Sequence, residues 1–207
     1  MAKRAASPER TAAPTARGEA TRARIMQAAS DQMLAEGYAA FSARAVAARA
    51  GVALSLVQYY FPTPADIVSA LLDRFILQYA AEVMVRFRDG KDKPEQRLTR
   101  ALDYLLNDEA YRRECTIFML EVSSLALRNP KIASALKGYY AVYLDAVMAI
   151  LTELNPALTP ARCRRKAMQC IALIEGIAQT RNAFGPDSDA AFTAQTTARA
   201  IERLAKD

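Results

Sequence analysis

The chain has 207 residues, 52% of them hydrophobic, with a net charge of +6 and a sequence pI of about 9.3. Histidine is absent, which removes the commonest general base and the commonest transition-metal ligand. No Gly-rich phosphate loop, nucleophile elbow or clustered ligand spacing takes its place, so no catalytic residue, cofactor or metal site is expected.

The positive charge permits a polyanionic partner but does not demonstrate one. Residues 1–68 carry eight Lys/Arg against five Asp/Glu, and residues 69–207 carry 20 against 17. The excess is therefore denser at the N-terminus but modest, and any nucleic-acid reading has to rest on a motif. The three cysteines, Cys115, Cys163 and Cys170, show no paired spacing; they read as small buried hydrophobes in a reducing, cytoplasmic setting. No apolar run reaches the ~18 residues of a membrane span, and no signal-peptide core is expected at the start.

In chain order, residues 1–20 mix Ala, Pro, Ser, Thr and charges without apolar period and read as a disordered tail. Lys3, Arg4, Arg10 and Arg17 stand there against Glu9 and Glu19. The segment is either a solvated tail or a basic arm for phosphates or the minor groove. A helix is predicted over 21–36, where Ile25, Ala28, Ala29 and Met33 recur at three- and four-residue steps, with Gly37 as its C-cap. Tyr38 and Phe41 then anchor a connector. Two short helices follow at 43–50 and 54–60, the first capped by Ser42 and the two separated by Gly51-Val52. Ala47, Ala50, Val52, Val57 and Phe61 are spaced to pack them across one small core. Two short helices joined by a glycine turn are the helix-turn-helix signature.

Thr63-Pro64-Ala65-Asp66 then starts a long helix over 64–88 through a capping box with proline at the first position. Further helices are predicted over 94–107, 109–128, 129–154, 159–184 and 188–206, most starting near a proline. The expectation is an all-α chain of about nine helices and no repeat. After the 1–20 tail, a helix-turn-helix domain over 21–68 joins a larger helical domain over 69–207.

The stretch Gly37-Tyr38, Ser42 to Ala47, Ala50-Gly51-Val52 and Val57 to Pro62 resembles the N-terminal domain of the tetracycline-repressor (TetR) family. That resemblance implies a sequence-specific transcriptional regulator and not an enzyme. The second short helix would lie in the major groove of double-stranded DNA. Position by position, Leu54, Ser55, Gln58 and Tyr59 would face the groove, Arg44 would reach a base edge or phosphate, and Tyr60 a phosphate. The residues themselves agree in part: Gln58 can pair bidentately with adenine and Arg44 with guanine, and Leu54 or Leu56 can touch a thymine methyl. Tyr59, Tyr60 and Phe61 have a packing alternative, which is preferred for Phe61. The chain departs from the family pattern at Ala53, Ser55, Leu56, Gln58 and Pro64, where Ser, Gly, Thr, Tyr and Lys are common. Ala53 removes a helix cap, at a typical cost of ~1 kcal/mol. Lys3, Arg4, Arg10, Arg17, Arg22 and Arg24 are candidates to replace the missing phosphate contacts.

Downstream, Tyr104, Phe118, Tyr140 and Tyr143 sit at helical spacing and read mostly as core. The resemblance implies that some of them line a cavity for a small-molecule effector. Glu121 and Glu175 fall on apolar faces, where a buried carboxylate needs a partner. Each is a ligand counter-charge, a half of an ion pair with an Arg such as Arg128 or Arg181, or an exposed edge residue. The last two helices are expected to make a homodimer through Ala172, Gly176 and Ala178 on one and Ala191, Ala194, Ala198, Phe192 and Ile201 on the other. The reading is a repressor released from a palindromic operator by its ligand. The alternatives are a constitutive or architectural DNA-binding protein and, of another class, an α-helical enzyme or an interaction adaptor, the missing histidine and absent catalytic clusters weighing against the enzyme.

Overall fold

The first helix begins earlier than its apolar period predicts. In a computed structural model of the chain, described for residues 15–75, 77, 81–88, 92–107, 109–184 and 191–206, α1 spans Ala16–Glu36. Thr15 Oγ1 accepts the Gly18 N–H at 3.2 Å and caps it. Residues 16–20, expected in the tail, are therefore helical. The cap acts on the backbone and leaves no mark in the spacing of apolar residues. The rest of the expected tail, residues 1–14, lies outside the described residues.

Gly37 closes α1 at φ 69°, its N–H returning to the Met33 carbonyl at 3.1 Å. A 3-10 turn over Tyr38–Ala40 leads to α2 (Ala43–Ala50), where Ser42 Oγ accepts the Ala45 N–H at 3.1 Å. Gly51, left-handed at φ 63°, turns the chain into α3 (Leu54–Tyr60), which has no side-chain cap because alanine stands at position 53. Thr63 and Asp66 form the expected capping box before α4 (Pro64–Phe75): Thr63 N–H donates to Asp66 Oδ2 at 2.7 Å and Asp66 N–H to Thr63 Oγ1 at 3.3 Å.

The helix expected over 64–88 is described as α4 and α5 (Ala81–Arg88); residues 76 and 78–80 between them lie outside the described residues. Then come α6 (Pro94–Asn107), α7 (Glu109–Ala126), α8 (Pro130–Leu154) and α9 (Pro160–Phe184). The end of α7 falls two residues short of the expectation, in a turn at Leu127-Arg128. The final helix, α10, covers Ala194–Lys206; the helix expected over 188–206 is broken at 192–193, and residues 188–190 lie outside the described residues. Thr193 accepts the Thr196 N–H at 3.1 Å and sets that start, with Phe192 in the turn before it. Among the described residues there are ten α-helices and no strand.

Two apolar clusters hold these helices. The first runs from Ile25 and Met33 of α1 through Val46, Val57 and Ile67 to Phe118, Val122, Ile132 and Tyr139 of α7 and α8. The second joins Val83 and Phe87 of α5 to α6, α8, α9 and α10. Apolar burial does not break at residue 68: α4 places Ile67, Val68, Leu71, Leu72 and Phe75 in the same cluster as α7 and α8. Inside the second cluster Arg97, 5% exposed, donates from Nη1 to the Phe87 carbonyl at 2.9 Å and pairs with Glu153.

Because the first cluster is continuous, Ile67→Ala should destabilise the whole chain by about 2–5 kcal/mol and not the N-terminal helices alone. Chemical unfolding followed by circular dichroism and tyrosine fluorescence should show one transition moved to lower denaturant. Two separate transitions, only one of them moved, would contradict a shared core.

Candidate nucleic-acid interface and a buried tyrosine cluster

α3 is held by one fully buried side chain, Val57 at 0% exposure, with Leu54 and Leu56 half-buried beside it. Its opposite face carries Ser55, Gln58 and Tyr59, all exposed, Tyr59 to 79%. A tyrosine left that open offers a flat ring and a hydroxyl to a partner. Leu54, expected to face the groove, also packs against the first core. Arg44 is exposed on α2, and Arg17 and Arg24 are exposed on α1.

Other side chains of these helices, the expected contact Tyr60 among them, are committed within the protein. The Tyr60 hydroxyl donates to the Gly18 carbonyl at 3.1 Å. A phenol has one proton to donate, so Tyr60 has none left for phosphate. Phe61 is buried at 3%, as preferred, and the Arg22 guanidinium lies 5.5 Å from its ring centre. Arg49 donates to Glu36 at 2.7 Å and to Gln32 at 3.3 Å, tying α2 to α1. Nothing in the local pattern announces the Tyr60–Gly18 tie, because its ends lie 42 positions apart.

Of the six residues singled out for a ligand, the structure brings four into one aromatic region: Phe118, Tyr140, Tyr143 and Glu175. Phe118 stacks on Phe75 at 5.1 Å, Phe75 lies 6.1 Å from Tyr139, and Tyr139 lies 5.2 Å from Tyr140 and 6.2 Å from Tyr143. Phe75, Cys115 and Tyr139 join this cluster unforeseen. Burial pushes the Tyr139 and Tyr143 phenols well above their usual range and Tyr140 up to about 12, with the nearby charge of Glu175 adding to each. Burial likewise raises the Glu175 carboxyl. No hydrogen bond or ion pair reaches Glu175 among the described residues. Arg181, one of its expected partners, donates to the Leu106 carbonyl at 2.7 Å instead.

Two of the six lie elsewhere. Tyr104 has the Arg86 guanidinium 3.9 Å above its ring, beside the second core. Glu121 is half-buried at the turn after α1; a Cβ built on Gly37 would stand 2.7 Å from Glu121 Oε1. The periodicity placed Glu121 correctly on an inward side of α7 but could not say that α1 is the neighbour there.

Three of the residues expected at a dimer contact face inward. Ala194, Ala198 and Ile201 are buried within the protomer at 5%, 2% and 1% exposure, and α10 turns Gln195, Arg199 and Arg203 outward. The alanines allow close approach, but to α6 of the same chain. Exposed small and apolar residues lie instead on α8, at Gly138, Ala141 and Val142, and on α9, at Met168 and Ala172. Among the described residues no helix is long and apolar enough to cross a membrane.

Residues 25–71 match the family model described as bacterial regulatory proteins, tetR family, and residues 94–206 match that of the BetI-type transcriptional repressor, C-terminal. The chain is similar in structure to a TetR-family member from Streptomyces coelicolor A3, at 26% identity and a TM-score of 0.67 over 89% of this chain and 97% of that one. A transcriptional regulator from Rhodococcus sp. Rha1 is similar at 25% identity and 0.69 over 89% and 93%. A regulator from Saccharomonospora viridis, solved in complex with choline, has the same fold at 19% identity and 0.70 over 91% and 96%. A search of curated proteins finds no match.

The raised Glu175 carboxyl has a measurable consequence. The folded chain holds that proton more tightly than the unfolded chain does, so the contribution of Glu175 to stability is fullest below the ordinary carboxylate value of 4.5 and declines as pH rises through the raised one. Glu175→Gln should remove this decline and raise the melting temperature near pH 8, by ~2–4 °C for each kcal/mol relieved. A variant that melts lower than the parent at that pH would mean that the carboxylate has a stabilising partner.

Proposed function

The chain belongs to the tetR family of bacterial regulatory proteins and is a transcriptional regulator, not an enzyme; we propose that it is a homodimeric repressor that binds a palindromic operator and is released by a small organic cation. The observation that carries the DNA reading is the division of α3 into a buried side at Val57 and an open side at Ser55, Gln58 and Tyr59. In the major groove Gln58 would read adenine, Ser55 would reach either a base edge or phosphate, and Tyr59 would lie along the sugar and phosphate. Arg44, one helix earlier, would contact a guanine or the backbone. Tyr60 is left out of this set because its proton is already held by Gly18.

The dimer is proposed through the exposed faces of α8 and α9, where Gly138, Ala141 and Ala172 let two copies approach and Val142 and Met168 supply apolar area. Two-fold symmetry then requires two half-sites separated to match the two copies of α3.

The effector class is argued from Glu175. A half-buried carboxylate without a cationic partner among the described residues, close enough to Tyr139, Tyr140 and Tyr143 to act on their phenols, suits an organic cation that pairs with the carboxylate and rests against aromatic faces. Choline, bound in the Saccharomonospora viridis regulator, is the first probe. Coupling to DNA would run through Phe75. It is the last residue of α4 and stacks on Phe118 beside Tyr139, so a ligand that repacks the aromatics also biases α4, which shares a core with α1–α3.

Selection from random duplex DNA should enrich a palindrome. On that sequence Gln58→Ala should cost about 1–3 kcal/mol, with the loss confined to the base it reads. Choline should weaken binding by the parent and not by Glu175→Gln. Enrichment of no sequence, or equal losses at every base for Gln58→Ala, would defeat the operator reading. If choline and other quaternary ammonium ions leave DNA binding unchanged, the organic-cation assignment fails while the operator assignment stands.

A further inference from the structure

The densest excess of positive charge does not lie on the helices around α3. Residues 160–174 of α9 hold four Lys/Arg and no Asp/Glu, against eight and five over residues 1–68. Arg162 and Lys166 are engaged within the chain; Lys166 Nζ donates to the Leu204 carbonyl at 2.6 Å and draws the start of α9 to the end of α10. Asn155, at the end of α8, donates to the Ala205 carbonyl at 2.8 Å and fastens the same corner. Arg164 and Arg165 of α9 and Arg199, Arg203 and Lys206 of α10 are exposed, and among the described residues none of the five meets a carboxylate. Glu153, the last acid of α8, is paired with Arg97, and Glu202 is the one acid of α10.

This corner stands away from the DNA-binding helices. α8 starts beside them, where Lys131 pairs with Asp66 of α4, and its 25 residues at ~1.5 Å each carry the chain about 37 Å to the turn before α9. A duplex held by α3 therefore sits near the first end of α8, and the five cations sit near the other. On α10 Arg199, Arg203 and Lys206 recur at steps of four and three, on one line of about 10 Å. One strand of a duplex presents about three phosphates over that length. Four of the five cations are arginines, whose planar fork takes two oxygens of one phosphate. Among the described residues Met168 is the one large apolar side chain exposed over 160–172 and 194–206, so a membrane surface, which takes apolar anchors along with cations, fits less well. Arg164 and Arg165 lie one turn from Met168, so two copies joined through that face bring their cations to the same end of the dimer.

We propose that Arg164, Arg165, Arg199, Arg203 and Lys206 form a second DNA-binding face, which holds the phosphates of a separate duplex and lets a dimer on its operator bridge to another segment of DNA. The inference rests on the DNA-binding reading above for the first duplex. A regulator held on DNA has duplex as its nearest polyanion at high local concentration, which favours DNA over an acidic protein segment. The face has no base preference, because phosphate contacts alone carry no sequence information.

The test loads the full chain on an immobilised duplex of the selected operator, washes away unbound protein, and measures capture of a labelled random duplex from about 50 to 200 mM salt. The parent should capture it at the low-salt end. Arg199→Gln/Arg203→Gln/Lys206→Gln should cut capture about tenfold or more there and lower the slope of log capture against log salt by about 2–3; Arg164→Gln/Arg165→Gln should lower the slope by about 2. Operator affinity should not change in either variant, and melting curves check that both fold. No capture by the operator-bound parent, or capture unaltered in both variants, would overturn the proposal. So would an operator affinity that falls in step with capture, which would put these cations on the operator itself. Displacement of the random duplex by poly-glutamate or by phosphatidylglycerol vesicles, more effectively than by unlabelled duplex of equal charge, would overturn it in favour of an acidic protein or a membrane. A full chain that binds no duplex at all would instead reject the regulator reading.

Discussion

The arrangement depends on α4 being buried from two directions. Ile67, Val68, Leu71, Leu72 and Phe75 belong to one apolar cluster in which α4 packs against α1 and against α8, and Phe75 reaches Phe118 of α7. Both ends are fastened as well. At the N-terminal end Asp66 closes the capping box and pairs with Lys131 of α8; the hydrogen bonds from Lys131 and Thr63 hold its carboxyl below the usual range, so it stays charged at neutral pH. At the other end Phe75 enters the aromatic stack with Phe118 and Tyr139. A close-packed core does not deform continuously, so a helix held this way moves between discrete packings. That property is what a switch between DNA-binding states requires.

The N-terminal helices use much of their polar chemistry on themselves. Gln32 is buried at 3%, bonded to Glu36 at 3.1 Å and to Arg49 at 3.3 Å. With the Arg49–Glu36 pair this network sets the angle between α1 and α2. Glu121 stands against Gly37, whose positive φ and lack of a side chain make room for the carboxylate. These contacts tie together the helices that present α3, and a site built on well-held elements keeps its exposed side chains in a fixed geometry.

The aromatic cluster has the opposite character. Tyr139 is buried and Tyr140, Tyr143 and Glu175 are half-buried, with no hydrogen bond to their polar ends among the described residues. Cys170 nearby is an inert thiol, pushed up to about 11 chiefly by burial. Arg97 is a useful contrast: it is buried at 5% exposure, yet the Phe87 carbonyl and Glu153 satisfy much of its guanidinium. A buried charge with partners reads as architecture, and one without them as a place made for something else.

Much was legible in the residues alone. Apolar spacing located the helices, Ser42, Gly51 and the Thr63–Asp66 box marked their ends, and the motif from Gly37 to Pro62 marked a helix-turn-helix with Gln58 and Tyr59 outward. Those signals are local, carried within three or four positions along the chain, and local order is what periodicity and capping record. Which helix lies opposite a given face is not written locally. Glu121 and Glu175 have the same signature, yet one meets the turn after α1 and the other a group of tyrosines. The alanines of α10 look like an interface but are consumed by α6. Tyr60 matches a phosphate-contacting position but reaches back 42 residues to Gly18. Such pairings are decided only when the whole chain closes, because each depends on burying surfaces that are distant in sequence and have no other partner of the right shape.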